Sequence, residues 1–139
     1  MAKNRPDLTI SPDEVFFILL KARELDAKVE LTDPESGSNP ADDGEVAVLE
    51  DTRDDAAEAE LLGAIRGLND DQRLDLIALI WIGRGDFSIE QWAEARDGAR
   101  EIGRARTPRY VTGIPLVSDY LEDALAQCGF QLDAYMDSH

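Results

Sequence analysis

The segment from Leu74 to Ile82 constrains the fold more than any other part of the sequence, because apolar side chains occupy nearly every position in it. A helix that is apolar almost all round has to be covered by protein on every side. Asn69 is a favourable N-cap for this helix, and Gln72 stands where a capping box requires it. The sequence therefore predicts a central helix with other helices packed around it.

The beginning of the chain indicates another helix. Ser11 is placed as its N-cap, Pro12 as its first residue and Glu14 as the partner in a capping box. Apolar residues then recur at three-to-four spacing, the period of a helix with one buried face. These residues are Val15, Ile18, Ala22, Leu25 and Val29. We predict a helix that runs to about Leu31.

Two more helices flank the central one in sequence. The first runs from about Asp54 to Leu68, with apolar residues again at helical spacing. The second begins after a glycine-containing stop at residues 83–85, where Ser88 and Gln91 can form a further capping box.

The last predicted helix opens at Pro115 and ends at Gly129, which suits a left-handed C-terminal cap. The preceding residues, 107–114, contain proline and glycine and are predicted to be a connection. The predicted fold class is all-α, a compact bundle of about five helices around the helix 74–82.

Loop composition marks residues 32–45, which we predict to be an acidic loop and the least ordered internal stretch. The apolar patch at 46–49 fits a strand or a helix, and we favour a helical turn. A length of 139 residues fits one domain. We divide the chain into an N-terminal tail (1–10), a single helical domain (11–130) and a C-terminal tail (131–139).

Cysteine and histidine usage excludes several kinds of chemistry. Cys128 is the only cysteine, so no intrachain disulfide can form, and we expect a cytoplasmic location. His139 is the only histidine, so neither a histidine triad nor a zinc site of cysteine and histidine is expected. The acids Asp51, Asp54, Asp55 and Glu58 are better explained as a solvated helix face than as a cation site. The sequence predicts no catalytic residue, no metal and no cofactor, which favours a non-enzymatic protein.

The formal net charge of −16 restricts the partners of this chain. Such a charge repels phosphate backbones, so direct binding of nucleic acid is not expected. The longest apolar run is too short to cross a bilayer, so no membrane partner is expected either. A protein partner is compatible with the sequence, as are a monomer and a homodimer. Acidic residues crowd between Asp33 and Glu60.

Arginines provide the main candidate for a binding site. Arg96, Arg100 and Arg104 are four residues apart, so they are predicted to line one helix face, which Arg106 and Arg109 extend. This strip can receive a phosphate, a carboxylate or an acidic partner surface. The simpler interpretation, which we favour, is a solvated face on which Asp97 and Glu101 pair with Arg100 and Arg104. A further alternative is that the acidic segment 33–60 docks on the strip.

A second candidate site surrounds the turn at residues 83–86. Arg84 and Arg109, with Tyr110 and Tyr120, can form a pocket for an anionic ligand or substrate. The simpler interpretation is that the glycines cap a helix and that the tyrosines pack at the edge of the core.

About half of the chain, from Leu68 to Leu125, resembles a bacterial family known as domain of unknown function 3775. The residues that carry the resemblance are Leu68-Asn69, Gly83-Arg84-Gly85-Asp86-Phe87, Gln91-Trp92, Tyr110, Gly113-Ile114-Pro115-Leu116 and Asp119-Tyr120-Leu121-Glu122. The resemblance implies an all-helical bacterial protein. It implies no activity, ligand or catalytic residue.

Three functions are compatible with these observations. The first is a small cytoplasmic interaction or regulatory module, which the missing catalytic groups favour. The second is a binder of, or an enzyme acting on, a small anionic ligand near Arg84, Arg109, Tyr110 and Tyr120. The third is an acidic mimic of nucleic acid. A ligand site requires a concave pocket with convergent polar groups, which only a structure can reveal.

Overall fold

The structure, a computed structural model, describes residues 6–36 and 56–138, with side chains for 6–27 and 56–137. These residues form helices and contain no strand, which confirms the all-α class. The α-helices are α1 (Pro12–Ser36), α2 (56–66), α3 (Asp70–Arg84), α4 (Trp92–Ala99), α5 (Thr107–Thr112), α6 (Val117–Gln127) and α7 (Leu132–Ser138). Single 3-10 turns lie at Ile89–Gln91 and Arg100–Ile102.

The central helix is α3, as the sequence predicts. It packs against α4 and α6, and α1 also packs against α6. Every residue from Leu74 to Ile80 is buried, and Ile77 is completely so. Trp81 belongs to the apolar run of α3 but is only partly buried, because its indole N–H lies at the edge of the core and donates to the Tyr110 hydroxyl at 2.8 Å.

The predicted helix ends are confirmed where the capping interaction is local. Ser11 and Glu14 form the capping box of α1, with Ser11 Oγ accepting from Glu14 N at 3.1 Å. The box of α3 is also formed, since Asn69 Oδ1 accepts from Gln72 N at 2.8 Å. At the other end of α3, Gly85 adopts the left-handed conformation with φ of 97°, which a side chain would disfavour.

Residues 32–36 correct the predicted acidic loop, because α1 continues through Ser36. Extension of an existing helix needs no new nucleus, so the one backbone N–H that Pro34 lacks does not end it. The rest of that loop lies outside the described residues. So do the patch at 46–49 and the acids Asp51, Asp54 and Asp55.

Helix α5 occupies the predicted connection at 107–114, so that prediction is wrong. Pro108 lies in the first turn of α5, where the N–H that proline lacks would have no helical partner. Helix α6 begins at Val117, two residues later than expected.

Both predicted tails are partly held against the domain. Helix α7 replaces the C-terminal tail, and Tyr135 of α7 stacks on Phe16 of α1 with ring centroids 4.7 Å apart. At the other end Ile10 is fully buried, and the backbone N–H groups of Thr9 and Ile10 donate to the Asp75 carboxylate. Side-chain contacts across the fold therefore order segments whose local sequence contains no element signal. No helix in the described part of the chain is both long and apolar enough to cross a membrane.

Candidate functional site

Contacts within the protein occupy the predicted ligand region around Arg84. Arg84 donates to Asp86 Oδ2 from Nε at 2.9 Å and from Nη2 at 2.6 Å. The hydrogen bonding to Asp86 raises the pKa of the Arg84 guanidinium, partial burial opposes the rise, and the Tyr110 hydroxyl adds to it. Tyr110 and Tyr120 both pack against the core. These contacts agree with the simpler interpretation for the two tyrosines and for Gly85, which caps α3, whereas Gly83 lies within α3.

Arg96 forms an ion pair with the buried carboxylate of Asp75. Its Nε donates to Asp75 Oδ1 at 2.6 Å, and its Nη2 lies 3.3 Å from both the backbone oxygen and the carboxylate of Asp71. Asp75 is completely buried and also accepts from Thr9. This network joins the N-terminal segment, α3 and α4.

Arg104 does not share a helix face with Arg96 and Arg100, which corrects the prediction. Helix α4 ends at Ala99, and after one 3-10 turn the chain changes direction at Gly103, with φ of 79°. Arg104 therefore lies beyond the helix. The expected partner Glu101 is replaced by Asp70, whose Oδ1 lies 2.6 Å from Arg104 Nη1.

Arg100 and Arg109 are exposed and pair with carboxylates. Arg100 Nε lies 3.6 Å from Asp97 Oδ1, as the solvated-face interpretation predicts. Arg109 Nη1 lies 3.4 Å from Glu58 Oε2, which joins one residue of the acidic segment to the predicted arginine strip. Most of that segment lies outside the described residues.

A different group of arginines lines a pocket between α2, the start of α3 and the start of α5. We call it the arginine pocket, and its volume is about 530 Å³. That is within the usual range for sites that bind small organic molecules. It is lined by Ile65, Arg66, Leu68, Arg73, Arg104, Ala105, Thr107 and Pro108.

Arg73 is the most unusual residue of the arginine pocket. Only 9% of it is exposed. Its Nη1 donates to Thr107 Oγ1 at 3.3 Å, and that hydroxyl donates to the Gly103 backbone oxygen at 2.6 Å. Its Nε is buried and has no hydrogen-bond partner, and the Asp70 carboxylate, 3.8 Å away, is beyond hydrogen-bond distance. Buried donors are almost always paired, so this N–H indicates a missing acceptor.

Two exposed arginines stand at the rim of the same pocket. Arg104 binds Asp70 and donates from Nη2 to the Leu68 backbone oxygen at 3.0 Å. Arg66, in the last turn of α2, has no ion pair with any residue whose side chain is described. Three arginines thus line the pocket, and among the residues whose side chains are described the carboxylate paired with any of them is that of Asp70. The pocket is a positive site in a chain of net charge −16.

The arginines of the pocket are hydrogen-bond donors, which suits binding of an anion. Thr107 is completely buried, and its hydroxyl proton is already donated to Gly103, so it positions Arg73 and is not placed as a nucleophile. Within the part of the chain that is described, no group of three or more His, Cys, Asp or Glu residues can hold a metal ion.

Sequence reasoning identified Arg104 and missed Arg66 and Arg73. Arg73 directly precedes the apolar run of α3, and a charge beside a helix that is buried all round is itself a signal of a buried polar group. Its partner Thr107 is 34 residues away in sequence, so spacing gives no sign of the pocket.

Comparison with known proteins adds a family. No curated protein and no solved structure matches the chain. The family described as "Protein of unknown function (DUF3775)" matches residues 58–130, more than half of the 139 residues, and this range contains every residue that lines the arginine pocket. On this evidence the chain belongs to the DUF3775 family.

Proposed function

We propose that this protein binds a small anionic ligand, a phosphate or a carboxylate, in the arginine pocket and does not transform it. The observation that carries the proposal is the buried Arg73 guanidinium, whose Nε lacks an acceptor. The ligand class is the one predicted from the sequence. The proposed binding site is not the one predicted around Arg84, because Arg84 is hydrogen-bonded to Asp86 within the protein.

A purely structural arginine in this fold looks different from Arg73. Arg96, on α4, is less buried than Arg73, and its Nε meets the Asp75 carboxylate at 2.6 Å. The acid beside Arg73 is Asp70, whose side chain is 73% exposed and 3.8 Å from Nε. An exposed carboxylate at that distance contributes little to pairing a buried charge. An anion bound in the pocket beside the Arg73 guanidinium would pair this charge.

The other two functions stay predictions from the sequence. An interaction module and an acidic mimic both need a partner surface, and no contact described above favours one. A regulatory role is compatible with the proposal, because a protein that binds a ligand without transforming it can report its concentration.

Isothermal titration of inorganic phosphate and acetate into the protein tests the proposal. We expect one of these anions to bind with a Kd of about 1 mM or below, as a few charge-assisted hydrogen bonds allow. Arg73→Gln should weaken binding by roughly 10- to 100-fold, since hydrogen bonds to charged groups contribute about 1.5 to 3 kcal/mol each.

Arg100→Gln is the matched control, because Arg100 is an exposed arginine outside the pocket with one weak ion pair. It should bind like the wild type. Arg66→Gln keeps the proposal testable if Arg73→Gln folds poorly, since exposed Arg66 can be changed without disturbing the core. Equal affinity of the wild type and both pocket variants would contradict the proposal, as would a wild type that binds neither anion.

A further inference from the structure

We propose that the ligand of the arginine pocket is a phosphate monoester that carries an apolar or aromatic group. This inference rests on the proposed function and assigns the chemical class of its ligand. It uses three features of the pocket: its charge, the directions from which its arginines come, and its apolar walls.

The charge of the pocket matches a dianion. Among the described residues, Asp70 is the carboxylate that pairs with these arginines, so the positive charge of Arg66, Arg73 and Arg104 exceeds the negative charge by two. A phosphate monoester carries about −1.5 to −2 charges at pH 7. A simple carboxylate carries one charge and would leave positive charge uncompensated around a buried guanidinium.

The three arginines come from three segments of the chain. Arg66 ends α2, Arg73 lies in the first turns of α3, and Arg104 follows the 3-10 turn before α5. A phosphate group presents three terminal oxygens in tetrahedral directions, whereas a carboxylate presents two oxygens in one plane. Donors carried on three separate segments suit the phosphate geometry better than the planar carboxylate.

The remaining walls of the pocket are apolar and leave room for more than a phosphate. Ile65, Leu68, Ala105 and Pro108 line it together with the arginines. Its volume of about 530 Å³ is that of a site for an organic molecule. Burial of an apolar group against these side chains would add affinity that inorganic phosphate cannot gain.

Three matched probes test the inference by isothermal titration: phenyl phosphate, inorganic phosphate and phenyl sulfate. Inorganic phosphate lacks the ring, and phenyl sulfate is a monoanion of nearly the same shape. We expect phenyl phosphate to bind about tenfold or more tightly than either of the others, since the ring and the second charge each contribute. Arg66→Gln should reduce the preference for phenyl phosphate over phenyl sulfate, and Arg100→Gln should leave it unchanged.

The possible outcomes separate this inference from the proposed function. Equal binding of phenyl phosphate and inorganic phosphate would contradict the claim that the ligand carries an apolar group. Equal binding of phenyl phosphate and phenyl sulfate would contradict the claim that the ligand is a dianion. Either result would still be compatible with the proposal that the pocket binds anions. If none of the three probes binds in a manner that depends on Arg73, the proposed function fails, and this inference fails with it.

Discussion

Asp75→Ala is expected to lower the free energy of unfolding by about 3 to 5 kcal/mol, the cost of removing one partner from a buried ion pair. Asp75 is completely buried and accepts four hydrogen bonds. Its loss leaves the Arg96 guanidinium and the backbone N–H groups of Thr9 and Ile10 without their acceptor. A domain of this size is stable by only about 5 to 15 kcal/mol, so the loss is a large fraction of the total. Chemical denaturation followed by circular dichroism measures it.

Asp97→Ala is the matched control for this prediction. The Asp97 side chain is 84% exposed and its only described ion pair is with Arg100 at 3.6 Å. Its removal should change stability by about 0.5 kcal/mol or less. The double variant Asp75→Ala with Arg96→Ala should recover part of the loss, because no buried charge is then left unpaired. Equal stabilities of Asp75→Ala and Asp97→Ala would show that the buried network does not hold the N-terminal segment and α4 to α3.

Gly83→Ala is expected to be the other severe substitution, with a loss of about 3 kcal/mol or failure to fold. A Cβ atom on Gly83 would overlap the backbone oxygen of Tyr120 and would lie 2.6 Å from its carbonyl carbon. Backbone atoms cannot move aside as a flexible side chain can, so α3 and α6 would have to separate. Thermal unfolding and the yield of soluble protein measure the effect.

Gly63→Ala is expected to have the opposite effect, an increase in stability. Gly63 lies within α2, and a Cβ atom there would have nothing within 4 Å. Alanine in a helix is favoured over glycine, so this variant should gain roughly 0.5 to 1 kcal/mol. A Gly83→Ala protein as stable as the wild type would mean that α3 and α6 do not approach as closely as described.

Features that depend on neighbouring residues could be predicted from the sequence. The capping boxes join residues three positions apart, and the end of α3 needs only Gly85 and the turn before it. The central position of α3 also followed from composition, because a helix that is apolar all round has one place in a bundle. Interactions that form within one helical turn can be predicted because the residues that make them are close together in the sequence.

Features that depend on distant residues could not be predicted. Asp75 meets Thr9 across 66 positions and Arg96 across 21, so no spacing rule connects them. Helix α7 is held by Tyr135 against Phe16, and α5 begins where a proline suits both a loop and a first helical turn. The arginine strip was predicted as a continuation of α4 past Ala99, whereas the chain turns at Gly103.

The residues of the candidate site also divide into those that the local sequence predicts and those that only distant contacts bring together. Arg104 was identified because arginines repeat along the sequence, but its neighbours in the pocket, Arg66 and Arg73, come from other helices. Arg73 and Asp75 lie two residues apart on α3, but they differ in how their charged groups are paired. The charge of Asp75 is fully paired, and Arg73 Nε has no acceptor. Only the tertiary structure distinguishes the buried charge that is paired from the buried charge whose Nε lacks an acceptor.

The most direct test of anion binding is NMR of the arginine Nε–H groups while inorganic phosphate or acetate is titrated at constant ionic strength. The Arg73 resonance is assigned by its loss in Arg73→Gln, and the Arg96 resonance, whose Nε is bound to Asp75, serves as the internal reference. We predict that the Arg73 Nε–H resonance shifts in a saturable manner with one of these anions and that the Arg96 resonance does not. An Arg73 resonance that stays fixed in both titrations, or that moves only in parallel with Arg96, would contradict the proposal.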